Sequence, residues 1–484
     1  MREYTRAGLR AGDRVFVHFS NNLEFFADLL AVWRLGACFV PIDQRLTAFE
    51  VETLAASAKP RLALIDSHTD AHVVDSVARV VSRTIASDAV RPATSADQVP
   101  PASGYPRMDD DALILFTSGS TGNPKGAVLT HRGLRARWLA QRQCLGVAPY
   151  ARTLCFVSTN FAHGLINNAL LPWFSGQHVL IAPPFDAQAL MQLGRFIDEH
   201  KITYLSAVPS MWALIVKASK QPGGGTVRRA HSSSGPLSAH LWRQIQQWTG
   251  TNEVYNAWGT TELGGQSAGT SIDPVEPEEG LVGVPWGSVI RIARTGNPQT
   301  LFEPDVLCGT GEPGYVWAHT ASLMRGYLDQ PELTDEVVAA GWFVTGDIGI
   351  LDERGRFYLK GREREEINKA GTKIYPADVD AVVERHEAAV AVCTFGYPDA
   401  LYGQNVAMAV VLKNDDAATV QSLHGWMKQH LAEFKMPSRW FVVDTIPTTS
   451  RGKVSRAAML EACSQRAPLD LRRILHAAPQ GKNE

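Results

Sequence analysis

TSGSTGNPKG, residues 117–126, crowds hydroxyls and glycines into ten positions and closes on a single lysine. The apolar run LILF ahead of it (113–116) reads as a buried strand. A loop leaving such a strand exposes several backbone N–H groups in one concavity, and Ser/Thr hydroxyls with Lys125 add donors and charge. Phosphate oxygens are the natural guest. A Walker A loop would need GxxxxGK[ST], with the lysine and a magnesium-binding hydroxyl running directly into a helix. Here Lys125 follows Pro124 and precedes Gly126 with no hydroxyl next, so that reading fails and a solvated surface turn is left as the competitor.

The surrounding chain alternates short β-branched runs with helical patterns, the signature of a parallel sheet with crossover helices. DRVFVHF reads as a strand, LEFFADLLAVWRLG as a helix ended by Gly36, and CFVPID and RLALID as strands. Thr47 and Glu50 have the capping-box spacing that opens the helix TAFEVETLAASA. The rhythm continues through LILFTSG, TLCFVS, HVLIAP, TYLSAVPS and EVYNAWG. Residues 90–110 read as a linker, and from about residue 272 glycine and proline rise, predicting antiparallel β structure. After GRFYLKGRERE a mixed α+β tail follows, with strands AVAVCTF, NVAMAVVLK and RWFVVD and a helix through SLHGWMKQHLAEF. The expected division is an N-terminal domain over 1–361, with α/β subdomains to about 270 and a β-rich part over 271–361, and a C-terminal domain over 362–484.

At 484 residues the chain is too long for one ordinary core. A net charge of −2 offers no basic surplus for nucleic acid or an acidic membrane. Six cysteines lie far apart without a CxxC pair, which suits buried free thiols in a reducing cytosol. The start has no apolar h-region and no apolar run approaches membrane-spanning length, so a soluble cytoplasmic protein is expected.

LFTSGSTGNPKGAVLTHRGL resembles the phosphate loop of the adenylate-forming superfamily: acyl-CoA synthetases, adenylation domains of peptide synthetases and firefly luciferase. Further motifs follow in the family's order. YNAWGTTE (255–262) is similar to the NxYGxTE motif, which implies nucleotide contacts from Asn256, Ala257, Trp258, Gly259 and Thr260. Trp258 would lie against adenine, Thr261 would face the phosphates, and Glu262 would contact Mg²⁺. The chemistry fits independently, since an indole stacks on a purine and one carboxylate plus phosphate oxygens is a usual Mg²⁺ set. A core aromatic is the competing reading of Trp258.

GWFVTGDIG (341–349) resembles the TGD motif, in which Asp347 would accept both ribose hydroxyls; an ordinary hairpin turn competes. GREREEINKAGTKIYPADVD (361–380) resembles the segment in which Arg362 reaches ribose and phosphate and Arg364 takes the hinge position, normally Asp or Lys. PTTSRGKVSR (447–456) is similar to the C-terminal motif that carries a mobile catalytic lysine, here Lys453. FAHG (161–164) resembles the aromatic–histidine gate beside the acyl pocket, with a core histidine as the alternative for His163. SSSGPL (232–237) resembles the SGGAPL turn whose backbone lines adenine, here Ser234, Gly235 and Pro236, with serines at 233 and 234 replacing glycines.

The resemblance implies an α/β fold: a large N-terminal domain of layered α/β sheets with a small β-barrel-like region, then a small mobile α+β lid. It also implies a reaction in which a carboxylate attacks the α-phosphate of ATP, pyrophosphate leaves, and coenzyme A takes the acyl group from the adenylate. Thr117, Ser118, Gly119, Ser120, Thr121, Gly122 and Lys125 would hold the phosphates, Glu262 and Thr121 the Mg²⁺. Lys453, Thr261, Glu262 and His163 form the implied catalytic set. ATP, Mg²⁺ and coenzyme A are the expected cofactors and a small carboxylic acid the partner, in a monomer or homodimer. An amine or carrier-protein thiol as acceptor, and a non-catalytic nucleotide-binding regulator, are the alternatives. VSTNFAHGLINN, Met211 and the 231–235 turn should line the acyl pocket, whose mixed lining suits an aryl or medium-length acid. Family members usually carry a few dozen residues ahead of GLRAGDRVFVHF, so either the start is assigned late or an edge of the first sheet is missing.

Overall fold

The computed structural model describes the chain except for Ser20, Arg45, His68, Ser82, 88–105, 118–124, 183–186, Pro236, Ser238, 271–274, Glu279, Leu301, 363–366, Tyr375, 448–455 and 477–484. Two compact units result, one built from Met1–Gln44, Ala55–Thr117 and Gly126–Glu363, the other from Arg364–Glu484 together with Arg45–Leu54 and Lys125.

The larger unit holds two sheets. The first runs in the order Gly326–Tyr327, Lys125–Thr130, Asp111–Thr117, Cys38–Pro41, Arg14–Val17, Leu62–Ile65, Thr84–Ala86. Its Cys38–Pro41, Arg14–Val17, Leu62–Ile65 and Thr84–Ala86 strands are parallel neighbours, and the side chains of the first three are almost wholly buried. Sheets covered on both faces produce such unbroken apolar runs, so RVFV, CFVP and LALI were readable as strands. The helix Leu23–Arg34 starts where Asn22 Oδ1 accepts the Phe25 N–H at 2.8 Å. The capping box is formed as the spacing predicts: Thr47 N–H donates to Glu50 Oε2 at 2.9 Å and Glu50 N–H to Thr47 Oγ1 at 3.3 Å.

In the second sheet, His178–Ile181, Arg152–Cys155, Tyr204–Ala207, Arg229–Ser233 and Val254–Thr260 run parallel. From Gly265–Gly269 onward, through Leu281–Pro285, Phe357–Arg362, Trp342–Leu351, Gly314–Thr320 and Ser288–Ala293, the pairing is antiparallel. The change comes at Val254–Thr260, whose pairing with Gly265–Gly269 slips in register between Trp258 and Gly259. That strand carries most of YNAWGTTE, so the motif sits where the sheet reverses character.

Among the described residues the smaller unit has five strands, Ile367–Lys369, Thr372–Ile374, Ala389–Asp399, Gly403–Leu412 and Arg439–Val442, with the helix Ala417–His430. That helix begins earlier than the apolar pattern suggested, because the Asp416 carboxylate caps it by accepting the Thr419 N–H at 2.7 Å. Among the described residues the cysteines form no disulfide, and Cys38, Cys155, Cys393 and Cys463 are buried. Among the described residues no helix is long and apolar enough to cross a membrane.

Candidate active site

Thr117 ends one strand and Lys125 begins its neighbour in the first sheet, so the glycine-rich stretch joins two strands. Ser118, Gly119, Ser120, Thr121 and Gly122 lie outside the described residues. No helix opens at Lys125; the next one starts at His131, capped by Thr130.

Two motif residues 89 positions apart meet directly. The Trp258 indole Nε1 donates to Asp347 Oδ2 at 2.9 Å. Trp258 is 6% exposed, its ring edge-on to Phe357 with centroids 5.2 Å apart, and Asp347 is 2% exposed. Asp347 does not sit on the ordinary hairpin turn that competed with the ribose reading. It lies inside the strand Trp342–Leu351, in register with Arg362 on the next strand, and only Gly346 before it takes a left-handed φ of +73°. The bond orients the carboxylate. Gly259 follows Trp258 because a Cβ there would lie 2.0 Å from the Gly265 carbonyl oxygen.

Asn256 spends its amide on the chain itself, donating to the Leu281 carbonyl at 2.7 Å. Ala257 and Thr260 are likewise buried, and Thr260 Oγ1 accepts the Leu263 N–H at 3.3 Å to close the turn after the strand. Thr261 and Glu262 occupy that turn, half-buried. Glu262 Oε1 accepts the Tyr327 hydroxyl at 2.9 Å, and the Glu262 carbonyl accepts the Met324 N–H at 2.7 Å. Tyr327 stands in register with Ala127 on the strand that begins at Lys125. One phenol therefore ties the strand after the phosphate loop to the predicted metal carboxylate.

Behind the turn lies a fully buried arginine that sequence reasoning missed. Arg137 donates to the Trp286 carbonyl at 2.7 Å, Ser322 Oγ at 2.6 Å, Thr320 Oγ1 at 3.0 Å and the Leu263 carbonyl at 3.4 Å. Burial pushes the guanidinium down to about 10, still charged at neutral pH. Nothing in HRGLRARWLAQRQCL marks this arginine as the buried one, because which face of a polar helix turns inward is set by its neighbours.

His163 opens the π-helix His163–Leu170 and is 3% exposed. Its Nε2 bonds Ser206 Oγ at 2.7 Å and its Nδ1 bonds Ser234 Oγ at 3.2 Å. Gly164 lets this helix press on the preceding loop, since a Cβ there would meet the Ser158 carbonyl at 1.9 Å. Ser234 holds a left-handed φ of +68° where the family usually has glycine, with Gly235 half-buried beside it. Pro236, Arg364 and Lys453 lie outside the described residues, and of Arg362 the structure describes the backbone.

Burial holds His163 neutral by lowering its pKa to about 4, and His231 falls well below the usual histidine range for the same reason. An unfolded histidine titrates near ~6.5, so between that pH and about 4 the unfolded chain binds protons that the folded one does not. The stability contribution is complete above the unfolded value and is lost on acidification. His163 alone should remove about 2 kcal/mol between pH 7 and 5. Urea denaturation is expected to show this loss, and His163→Gln to flatten it; an unchanged slope in the folded variant would contradict the assignment.

Among the described residues no group of three His, Cys, Asp or Glu side chains could hold a metal by itself. A single carboxylate completed by phosphate oxygens is the donor set that suits Mg²⁺, and Glu262 fits it.

The family described as AMP-binding enzyme matches residues 4–328, and the AMP-binding enzyme C-terminal domain matches 378–453. A sulfoacetate–CoA ligase from Cupriavidus necator is 29% identical, over 95% of this chain and 89% of its own. An oxalate–CoA ligase from Arabidopsis thaliana is 28% identical, over 93% and 88%. Among solved structures, the o-succinylbenzoate CoA synthetase of Bacillus subtilis superposes with a TM-score of 0.85 at 24% identity, covering 95% of this chain and 90% of that one. With its motifs in order and both domains matched, the chain belongs to the AMP-binding enzyme family, within the adenylate-forming superfamily.

Proposed function

We propose that the protein is an acid–thiol ligase of the AMP-forming type, which adenylates a small carboxylic acid with ATP and passes the acyl group to coenzyme A. A carboxylate resists nucleophiles because of its charge and its poor leaving group, so activation must come first. The observation that carries this reading is the Trp258–Asp347 hydrogen bond at the strand where the second sheet changes from parallel to antiparallel, with Glu262 on the turn that follows that strand.

Each residue then has a task. Thr117, Lys125 and the loop between them hold the β- and γ-phosphates, Trp258 and the 234–236 turn flank the base, and Asp347 with Arg362 holds the ribose. Glu262 would carry Mg²⁺, which when bound offsets charge on the departing pyrophosphate. Thr261 faces the phosphates, and Lys453 bridges the attacking carboxylate and the α-phosphate, where like charges otherwise repel. The thiol must reach the acyl carbon after Lys453 withdraws, and rotation of the C-terminal domain at Arg364 supplies that movement. The CoA ligases among the relatives support a thiol acceptor.

Labelled pyrophosphate exchange into ATP across a panel of carboxylic acids tests the proposal, with mass detection of the thioester once CoA is added. Exchange with at least one acid and a CoA product are expected. Silence across the panel would refute the reading.

A further inference from the structure

We propose that the acyl pocket is built for an acid whose tail bears an uncharged, hydrogen-donating group, a hydroxyl, phenol or amide. This rests on the adenylation reading and on the 161–168 and 231–235 segments lining the acyl side.

The argument begins at Ser206, fully buried on the Tyr204–Ala207 strand. Its hydroxyl bonds His163, its carbonyl accepts the Asn168 amide at 3.4 Å, and His231 stands opposite it in register on the next strand. His231 Nδ1 meets Gln266 Oε1 at 3.3 Å. Three atoms of this group have no partner: Asn168 Oδ1, His231 Nε2 and Gln266 Nε2. The residues that carry them are 0%, 1% and 2% exposed. Unpaired buried polar atoms are costly and uncommon, so a cluster of three calls for an occupant.

The roles of these atoms select the occupant. With Gln266 Oε1 as acceptor, the proton of the neutral ring sits on Nδ1, which leaves His231 Nε2 an acceptor. Asn168 Oδ1 is also an acceptor, and Gln266 Nε2 is a donor. Two acceptors and one donor match a hydroxyl or amide, which gives a proton and takes one. A hydrocarbon tail would leave all three unsatisfied. A second ionised acid would place its oxygens against two acceptors. Arg229, the buried cation of this strand, is committed to Glu253 at 2.9 Å and the Leu145 carbonyl at 2.7 Å, with its guanidinium over the Tyr255 ring.

The test is pyrophosphate exchange with two size-matched series: 4-hydroxybenzoate, 4-methylbenzoate and terephthalate; 6-hydroxyhexanoate, heptanoate and adipate. In at least one series the hydroxylated acid should exceed both relatives by roughly tenfold or more in kcat/KM, as expected of a site that hydrogen-bonds its substrate. His231→Phe and, independently, Asn168→Leu should bring that ratio close to one. Exchange without a hydroxyl preference, or a preference that survives in both folded variants, overturns the proposal and assigns the three atoms to buried water. No exchange with any acid overturns it together with the adenylation reading, whereas loss of preference alone leaves that reading standing.

Discussion

Lys453→Ala should abolish adenylate formation, lowering pyrophosphate exchange by at least ~10²–10³-fold, the cost of removing one preorganised donor from developing charge. The same variant should still convert supplied acyl-adenylate to thioester, because that half-reaction requires the lysine to be elsewhere. The flanks of the segment have anchors of their own. The strand Arg439–Val442 pairs in parallel with Gly403–Leu412, and the helix Arg456–Ser464 opens on Arg456, whose Nη2 donates to Asp380 Oδ2 at 2.6 Å. Asp380 also accepts the Thr394 N–H at 2.7 Å, fastening that helix to the sheet. An alanine at 453 touches none of these bonds, so the variant should fold and the two half-reactions can be compared in one preparation. Equal loss of both would overturn the role assigned to Lys453.

What could be read in advance was local. A parallel strand buried on both faces announces itself as RVFV or LALI, and a capping box as Thr47 and Glu50 at the right spacing, because the physics lies within a few residues. Long-range pairings have no such signal. Trp258 was read as a flat ring for adenine, yet its indole N–H is held by a carboxylate 89 residues on. Asn256 was read as a nucleotide contact, and its amide closes on Leu281. The π-helix at His163 escaped the periodicity, since HGLINNAL is buried on every side and has no polar face to set a period. Asp347 was read on a turn because Gly-Asp favours turns; pairing with flanking strands overrides that preference once the residues are buried.

Arg137 carries the other large expected effect. Among the described residues its side chain has no carboxylate partner; carbonyls and hydroxyls of Trp286, Leu263, Thr320 and Ser322 share its charge. Ser322 Oγ also donates to the Leu263 carbonyl at 2.7 Å and Thr320 Oγ1 to the Gly287 carbonyl at 3.1 Å, so the hydroxyls keep partners if the arginine is removed. The Trp286 carbonyl loses the arginine's charged bond, and the turn that presents Glu262 loses its brace from behind. Arg137→Met should therefore destabilise the protein by about 2–4 kcal/mol, from charged hydrogen bonds lost and a carbonyl stranded. In the folded fraction the Mg²⁺ concentration for half-maximal exchange should rise several-fold, more than kcat falls, and Arg137→Lys should recover part of it. Tyr327→Phe gives an independent check, since it frees one Glu262 oxygen without opening the core, and should shift the Mg²⁺ midpoint with little change in stability. If urea denaturation shows the Arg137 loss while both Mg²⁺ midpoints stay at the wild-type value, the arginine supports the core alone and Glu262 is held by the backbone of its own turn.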